Sequence, residues 1–163
     1  MNRRALSDGE AAPALAPARA PRKPKYRPES SPPATQQYRR RLACASDVYL
    51  ELSDIKAEGR EHMICFDMDV RHRILVRRVV AIGSLTGVEV HPREVFRGAI
   101  ANGAAAVILA HNHPSGDPTP SRQDIELTAR LREVGELCGI AVLDHVIVAG
   151  QGFVSLAERG WKG

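Results

Sequence analysis

Apolar residues recur along this chain in two periods, and each change of period marks an element. Val48, Leu52 and Ile55 fall at helical spacing, with Ser46 placed to cap a helix over residues 47–56 and Gly59 to end it. Residues 62–67 form an apolar run of strand length, 69–72 a turn, and 74–82 a second strand, so the pair predicts a hairpin. After a loop at 83–87, Pro92 suits the first position of a helix to about residue 102. Val95, Ala99 and Ile100 would form its inner face, and Gly103 its stop. The small and apolar run 104–110 predicts a buried central strand. Ser121 opens a long helix to residue 138, with Ile125, Leu127, Leu131, Val134 and Leu137 as core candidates and Gly139 as its stop. A strand within 140–149, a turn at 150–152 and a short strand at 153–156 complete the pattern. Strands interleaved with helices predict an α/β fold, a mixed sheet flanked by helices.

Composition changes the picture at the amino end. Residues 1–41 hold 7 of the 11 prolines and carry 10 Lys and Arg against 3 Asp and Glu, a net of +7, whereas residues 42–163 carry a net of −3. The first segment is therefore expected to be a disordered, basic Pro/Ala-rich tail, and the second a single domain. The tail has no long apolar run and reads as neither a secretory signal nor a membrane span. Its charge suits weak contact with nucleic acid or another polyanion. Cys44, Cys65 and Cys138 are isolated in sequence, which predicts inert core thiols in a reducing cytoplasm rather than a disulfide scaffold.

The chemistry concentrates in His111-Asn112-His113-Pro114-Ser115-Gly116-Asp117-Pro118-Thr119-Pro120-Ser121-Arg122-Gln123-Asp124. Histidines two apart at the end of a strand share a face. The prolines then force a loop, and Asp124 falls in the first turn of the next helix. Two imidazoles and a carboxylate are a common catalytic zinc set with the fourth position open. Ser121 with Asp124 also reads as an N-capping pair. A hydrolytic reading needs a carboxylate base, and spacing does not choose among Glu58, Glu61, Glu89 and Glu94. Among the remaining histidines, His91 reads as a helix-start or surface residue, and His145, after Asp144, as a core residue able to support a ligand from behind. The cluster Arg71, Arg73, Arg77 and Arg78 reads as an exposed, charged hairpin edge.

His-x-His-Pro, six residues, Ser, two residues, Asp resembles the signature of the JAB/MPN metalloprotease-like (JAMM) domains. The longer His-Asn-His-Pro-Ser-Gly-Asp-Pro-x-Pro-Ser is similar to their RadC branch, as are Val90-His91-Pro92-Arg93-Glu94-Val95-Phe96 and Leu143-Asp144-His145-Val146-Ile147-Val148. The resemblance covers roughly residues 44–158. It implies a JAB/MPN, cytidine-deaminase-like α/β sandwich over residues 42–163, with Zn²⁺ held by His111, His113 and Asp124. It also implies Glu61 as general base and Ser121 as donor to the developing oxyanion.

Three functions follow from the resemblance. One is a zinc metallopeptidase of the JAMM type, acting on a peptide or isopeptide-type amide. Another is a DNA-associated protein with a part in repair or recombination, the label RadC-like proteins carry. RadC-like proteins commonly have a helix-hairpin-helix region where this chain has its Pro-rich tail, and the domain's net −3 does not favour DNA. The third is a non-catalytic MPN interaction domain, against which the complete ligand set argues. Hydrolase ranks first, on the site rather than the fold. Because the tail lacks apolar content, deleting residues 1–33 is expected to leave the melting temperature nearly unchanged while weakening any binding to DNA and flattening its salt dependence. A large fall in melting temperature on deletion would show instead that the tail packs on the domain.

Overall fold

The computed structural model describes residues 40–83, 90–150 and 152–160. The tail expected at residues 1–41 therefore falls outside the described residues except at its last two positions, and so do the loop expected at 84–87 and Glu89. Eight elements follow in order: α1 (Ala45–Glu51), β1 (His62–Met68), β2 (Ile74–Ile82), α2 (Pro92–Ala101), β3 (Ala106–Asn112), α3 (Arg122–Cys138), β4 (Ala141–Ala149) and β5 (Gly152–Ser155). The five strands form one sheet in the order β2-β1-β3-β4-β5. The β3–β4 pair is parallel and the other three are antiparallel, so the sheet is mixed, as expected.

Helices cover both faces, which explains why β1 and β3 read as unbroken apolar runs. Ile64, Phe66, Ile108 and Ala110 pack with Val48, Leu52 and Ile55 on one face. Cys65, Val107 and Leu109 pack with Val95, Phe96, Ala99 and Leu131 on the other. Strand alternation thus sends His111 toward the α2/α3 face and Asn112 toward the α1 face.

The helix ends are set by capping. Gly103 adopts φ 64°, its N–H donates to the Ile100 carbonyl, and the Ala104 N–H donates to Ala99. This Schellman arrangement uses residues 103 and 104, so β3 begins at Ala106 rather than at residue 104. At the far end of α3, Gly139 (φ 68°) closes the helix in the same way, with Ile140 donating to Gly135. A Cβ on Gly135 would come within 2.5 Å of the Ile140 carbonyl oxygen.

Several expectations need correction. The first helix starts at Ala45 with Cys44 as its N-cap, because Asp47 accepts from the Ala43 N–H and turns the chain earlier than Ser46 would. Ile100 and Leu137 point to solvent, 60% and 89% exposed, while Phe96, Thr128 and Gly135 take the buried helix positions. Only Cys65 of the three thiols is buried; Cys44 and Cys138 are exposed. Burial beside Asp67 pushes the Cys65 thiol far up, and it stays protonated.

The hairpin arginines are not simply an exposed edge. Arg77 donates to Asp54 at 2.8 Å. Arg78 grips the fully buried Asp67 through Nη2–Oδ1 (2.6 Å) and Nε–Oδ2 (2.7 Å), and Asn102 Nδ2 donates to the same carboxylate at 2.7 Å. Arg78 also donates to the Val95 carbonyl, tying β2 to α2. Removing one partner of a buried ion pair strands the other charge. Arg78→Ala is therefore expected to lower unfolding free energy by about 3–5 kcal/mol in urea denaturation, while Arg122→Ala, at an exposed pair, should leave the midpoint nearly unchanged.

Candidate metal centre

The site forms where β3 ends. His111 is its penultimate residue and is fully buried. His113 lies just beyond, its N–H donating to the Val148 carbonyl of β4 at 2.8 Å, so the extended path continues long enough to keep both rings on one side. Gly116 then turns the chain with φ 86°. The loop brings the carbonyl of Asp117 to 2.8 Å from His113 Nδ1. It ends at Ser121, the N-cap of α3, whose capping box with Asp124 fixes the first helical turn.

Asp124 therefore does two things at once. Its Oδ2 accepts from the Ser121 N–H (2.7 Å) and hydroxyl (2.6 Å), while Oδ1 lies 3.2 Å from His111 Nε2 and Oδ2 3.6 Å from His113 Nε2. The two imidazole Nε2 atoms are 2.9 Å apart. One ligand atom from each of His111, His113 and Asp124 lies within 4.8 Å of the others, and this is the one cluster of metal-ligating type among the described residues.

The donor chemistry fits a cation. A carbonyl only accepts, so His113 carries its proton on Nδ1 toward Asp117, and its Nε2 presents a lone pair to a second imidazole nitrogen and a carboxylate. Nothing in that group supplies positive charge unless a proton or a metal ion enters. The electrostatics agree. The hydrogen bond to Asp124 raises the pKa of His113, against burial. Burial opposes the charge on Asp124, but the His111 and His113 rings, whenever an Nε2 beside it carries a proton, and the Ser121 hydroxyl outweigh burial and hold the carboxyl far below the usual carboxylate range. A proton on His113 and a metal ion would compete for the same lone pair.

Glu61 immediately precedes β1. Continuing the antiparallel β1–β3 register, in which Met63 pairs with His111, by two places sets Glu61 beside His113. Its charge is close enough to contribute to the raised His113 pKa. Ser121 is exposed at the cluster's edge, with its hydroxyl engaged by Asp124. His145 is fully buried behind His111, its Nε2 2.8 Å from His111 Nδ1, and burial pushes its pKa well below the ordinary value. His91 caps α2, its Nδ1 accepting from the Arg93 N–H. His62 and His72 stand outside the cluster.

Two polar residues at the site were not singled out from sequence. Asn112, fully buried, accepts from the His62 N–H (2.7 Å) and donates to the carbonyls of Arg60 (2.9 Å) and Glu58 (3.2 Å), gripping the backbone on both sides of Glu61. Its signal was available: an amide between two histidines on a buried strand must point to the opposite face and find partners there. Thr128, one turn after Asp124, contacts His145 at 2.6 Å and donates to the Asp124 carbonyl. Beyond the cluster, a cleft of about 410 Å³ is lined by Thr119, Pro120, Ile125, Leu156, Arg159 and Gly160.

Comparison with known proteins locates the resemblance. A family model of the RadC-like JAB domain matches residues 42–161. A UPF0758 protein of Syntrophotalea carbinolica is 54% identical over 106 residues, 65% of this chain and 47% of its own length. A UPF0758 protein of Bacillus licheniformis is 49% identical over 110 residues, 68% of this chain and 49% of its own length. The UPF0758 protein YsxA of Bacillus subtilis is 48% identical over 112 residues, 69% and 48% respectively. The chain spans about half the length of these curated relatives.

Asn112 gives the site its first test. Asn112→Ala takes away the acceptor of the His62 N–H and a donor to the carbonyls of Glu58 and Arg60, and is expected to destabilise the fold by about 1–3 kcal/mol in denaturant titration. Asn112→Asp, which keeps the acceptor and loses the donors, should fall short of wild type as well, because a charge replaces a neutral buried amide.

Proposed function

The chain belongs to the RadC-like JAB family, and from that membership and the geometry of the cluster we propose that it is a zinc-dependent hydrolase of peptide or isopeptide-type amide bonds. The observation that carries this reading is the convergence of His111 Nε2, His113 Nε2 and an Asp124 carboxylate held ionised, with Glu61 alongside. His111, His113 and Asp124 would hold the metal, three protein ligands being the number that leaves a position open. Zinc supplies Lewis acidity there, lowering the pKa of a water to about 7 and polarising a carbonyl.

The remaining work falls to the chain's own residues. Glu61 takes the proton of the attacking water on its carboxylate and returns it to the leaving nitrogen. Ser121 Oγ, whose proton rests on Asp124 Oδ2 here, would turn it to the oxygen on which charge develops. The capping box keeps Ser121 and Asp124 in one rigid turn, so donor and ligand stay in fixed relation. The adjoining cleft, apolar at Ile125 and Leu156 and lined also by Arg159, would receive a substrate side chain.

No helix among the described residues is long and apolar enough to cross a membrane.

The reading separates ligands from base. Protein purified without a polyhistidine tag is expected to hold about one zinc per chain by elemental analysis, and His113→Ala to lose it. Glu61→Gln should retain zinc while hydrolysis of an accepted amide falls by roughly 10²–10⁴-fold. A wild type with no tight metal, or a Glu61→Gln enzyme of unimpaired turnover, overturns the respective assignment. Ser121→Ala should slow turnover and also loosen the start of α3, so its melting temperature has to be read beside its rate.

A further inference from the structure

We propose that His145 and Thr128 are positioning residues that fix the tautomer of His111, aiming its Nε2 lone pair at the metal position through a buried relay running from β4 to α3. The inference rests on the metal reading above and extends it to two residues outside the ligand set.

Each proton along this chain of contacts has one place to go. Thr128 Oγ1 lies within hydrogen-bond distance of two groups, the Asp124 carbonyl oxygen and His145 Nδ1. The carbonyl can only accept, so the Thr128 hydroxyl proton goes there. Thr128 Oγ1 must then accept from His145, which puts the His145 proton on Nδ1 and leaves its Nε2 bare. That bare nitrogen is 2.8 Å from His111 Nδ1, so His111 donates to it from Nδ1. His111 Nε2 is left as a lone pair, 2.9 Å from His113 Nε2 and 3.2 Å from Asp124 Oδ1. One carbonyl acceptor thus dictates three proton positions in sequence.

The arrangement has no slack. His111 and His145 are fully buried and Thr128 nearly so, at 1% exposed, so bulk water cannot offer an alternative partner. Both nitrogens of His145 are engaged, which excludes it as a fourth ligand in this geometry. In free histidine the proton prefers Nε2, so the Nδ1–H form of His111 has to be imposed. The relay also closes on itself. It leaves one ligand, His111, and returns to the backbone of another, Asp124, so any shift of α3 along β4 disturbs both. Partners behind a ligating histidine commonly affect metal affinity by 10–100-fold.

The test compares Thr128→Val with Thr128→Ser in the full chain, with zinc alone as the probe. Two quantities are read: zinc affinity by competition with a chromophoric chelator, and the ring-nitrogen ¹⁵N shifts of the histidines in metal-free protein. In wild type and Thr128→Ser, His111 and His145 should both show the Nδ1–H form. Thr128→Val, which keeps the shape and removes the hydroxyl, should release the His145 proton to Nε2, convert His111 to Nε2–H, and weaken zinc binding by roughly 10–100-fold. Equal zinc affinity in Thr128→Val and wild type overturns the proposal, as does loss of affinity in Thr128→Ser with unchanged tautomers, since that pattern marks packing alone. Failure of the two readings can be told apart. A wild type that takes up no zinc overturns the metal site whatever its tautomers, and Nε2–H at His111 in the metal-free wild type overturns the relay whatever the affinity.

Discussion

Two imidazole nitrogens and a carboxylate oxygen held about 3 Å apart at the end of a buried strand is the constraint the rest of this structure serves. Groups rich in lone pairs do not gather this way unaided, so each is pinned from behind. His113 is held by a loop carbonyl, His111 by the His145 ring, and Asp124 by the N-cap serine. The last is economical, because the carboxylate that satisfies the start of α3 is the one that faces the histidines. Its charge is thereby favoured twice, by the helix start and by the cluster.

The sheet manages buried polarity by the same rule at its other end. Asp67 is fully buried on β1 and would be intolerable alone, but Arg78, Asn102 and Cys65 surround it. Asn112 repeats the device on the α1 face with backbone partners. The polar residues of the core are therefore the ties between elements: Asp67 joins β1 to β2 and α2, Asn112 joins β3 to the approach to β1, and His145 joins β4 to β3 and α3. Such ties hold only while every member is satisfied.

Much of this was legible in the sequence, where periodicity and local chemistry agree. β2 spans residues 74–82 as read, α3 starts at its serine, and the histidines two apart do share a face. What escaped was decided by contacts distant in sequence. Ile100 and Leu137 look like core residues by spacing, yet those helices turn other residues inward, Phe96 and Ala99 on α2 and Leu131 and Gly135 on α3. Arg78 looks like a surface charge until β1 brings Asp67 beside it. Thr128 is unremarkable in a helix until β4 places His145 against it, and Glu61 was distinguishable from Glu58 and Glu94 only by resemblance, since its proximity to His113 depends on strand register.

The position of β3 in the middle of the sheet has a consequence for how the centre opens. A central strand cannot exchange its amide hydrogens until neighbours on both sides let go, so His111 belongs to the part of the molecule that opens only with global unfolding. Asp124 belongs to a helix terminus entered from a surface loop, the kind of segment that frays at far lower free energy. The cluster is thus anchored on one side by a central strand and on the other by a capped helix start that is entered from the surface. An ion would enter and leave over the first turn of α3, at a rate set by that turn and not by the sheet.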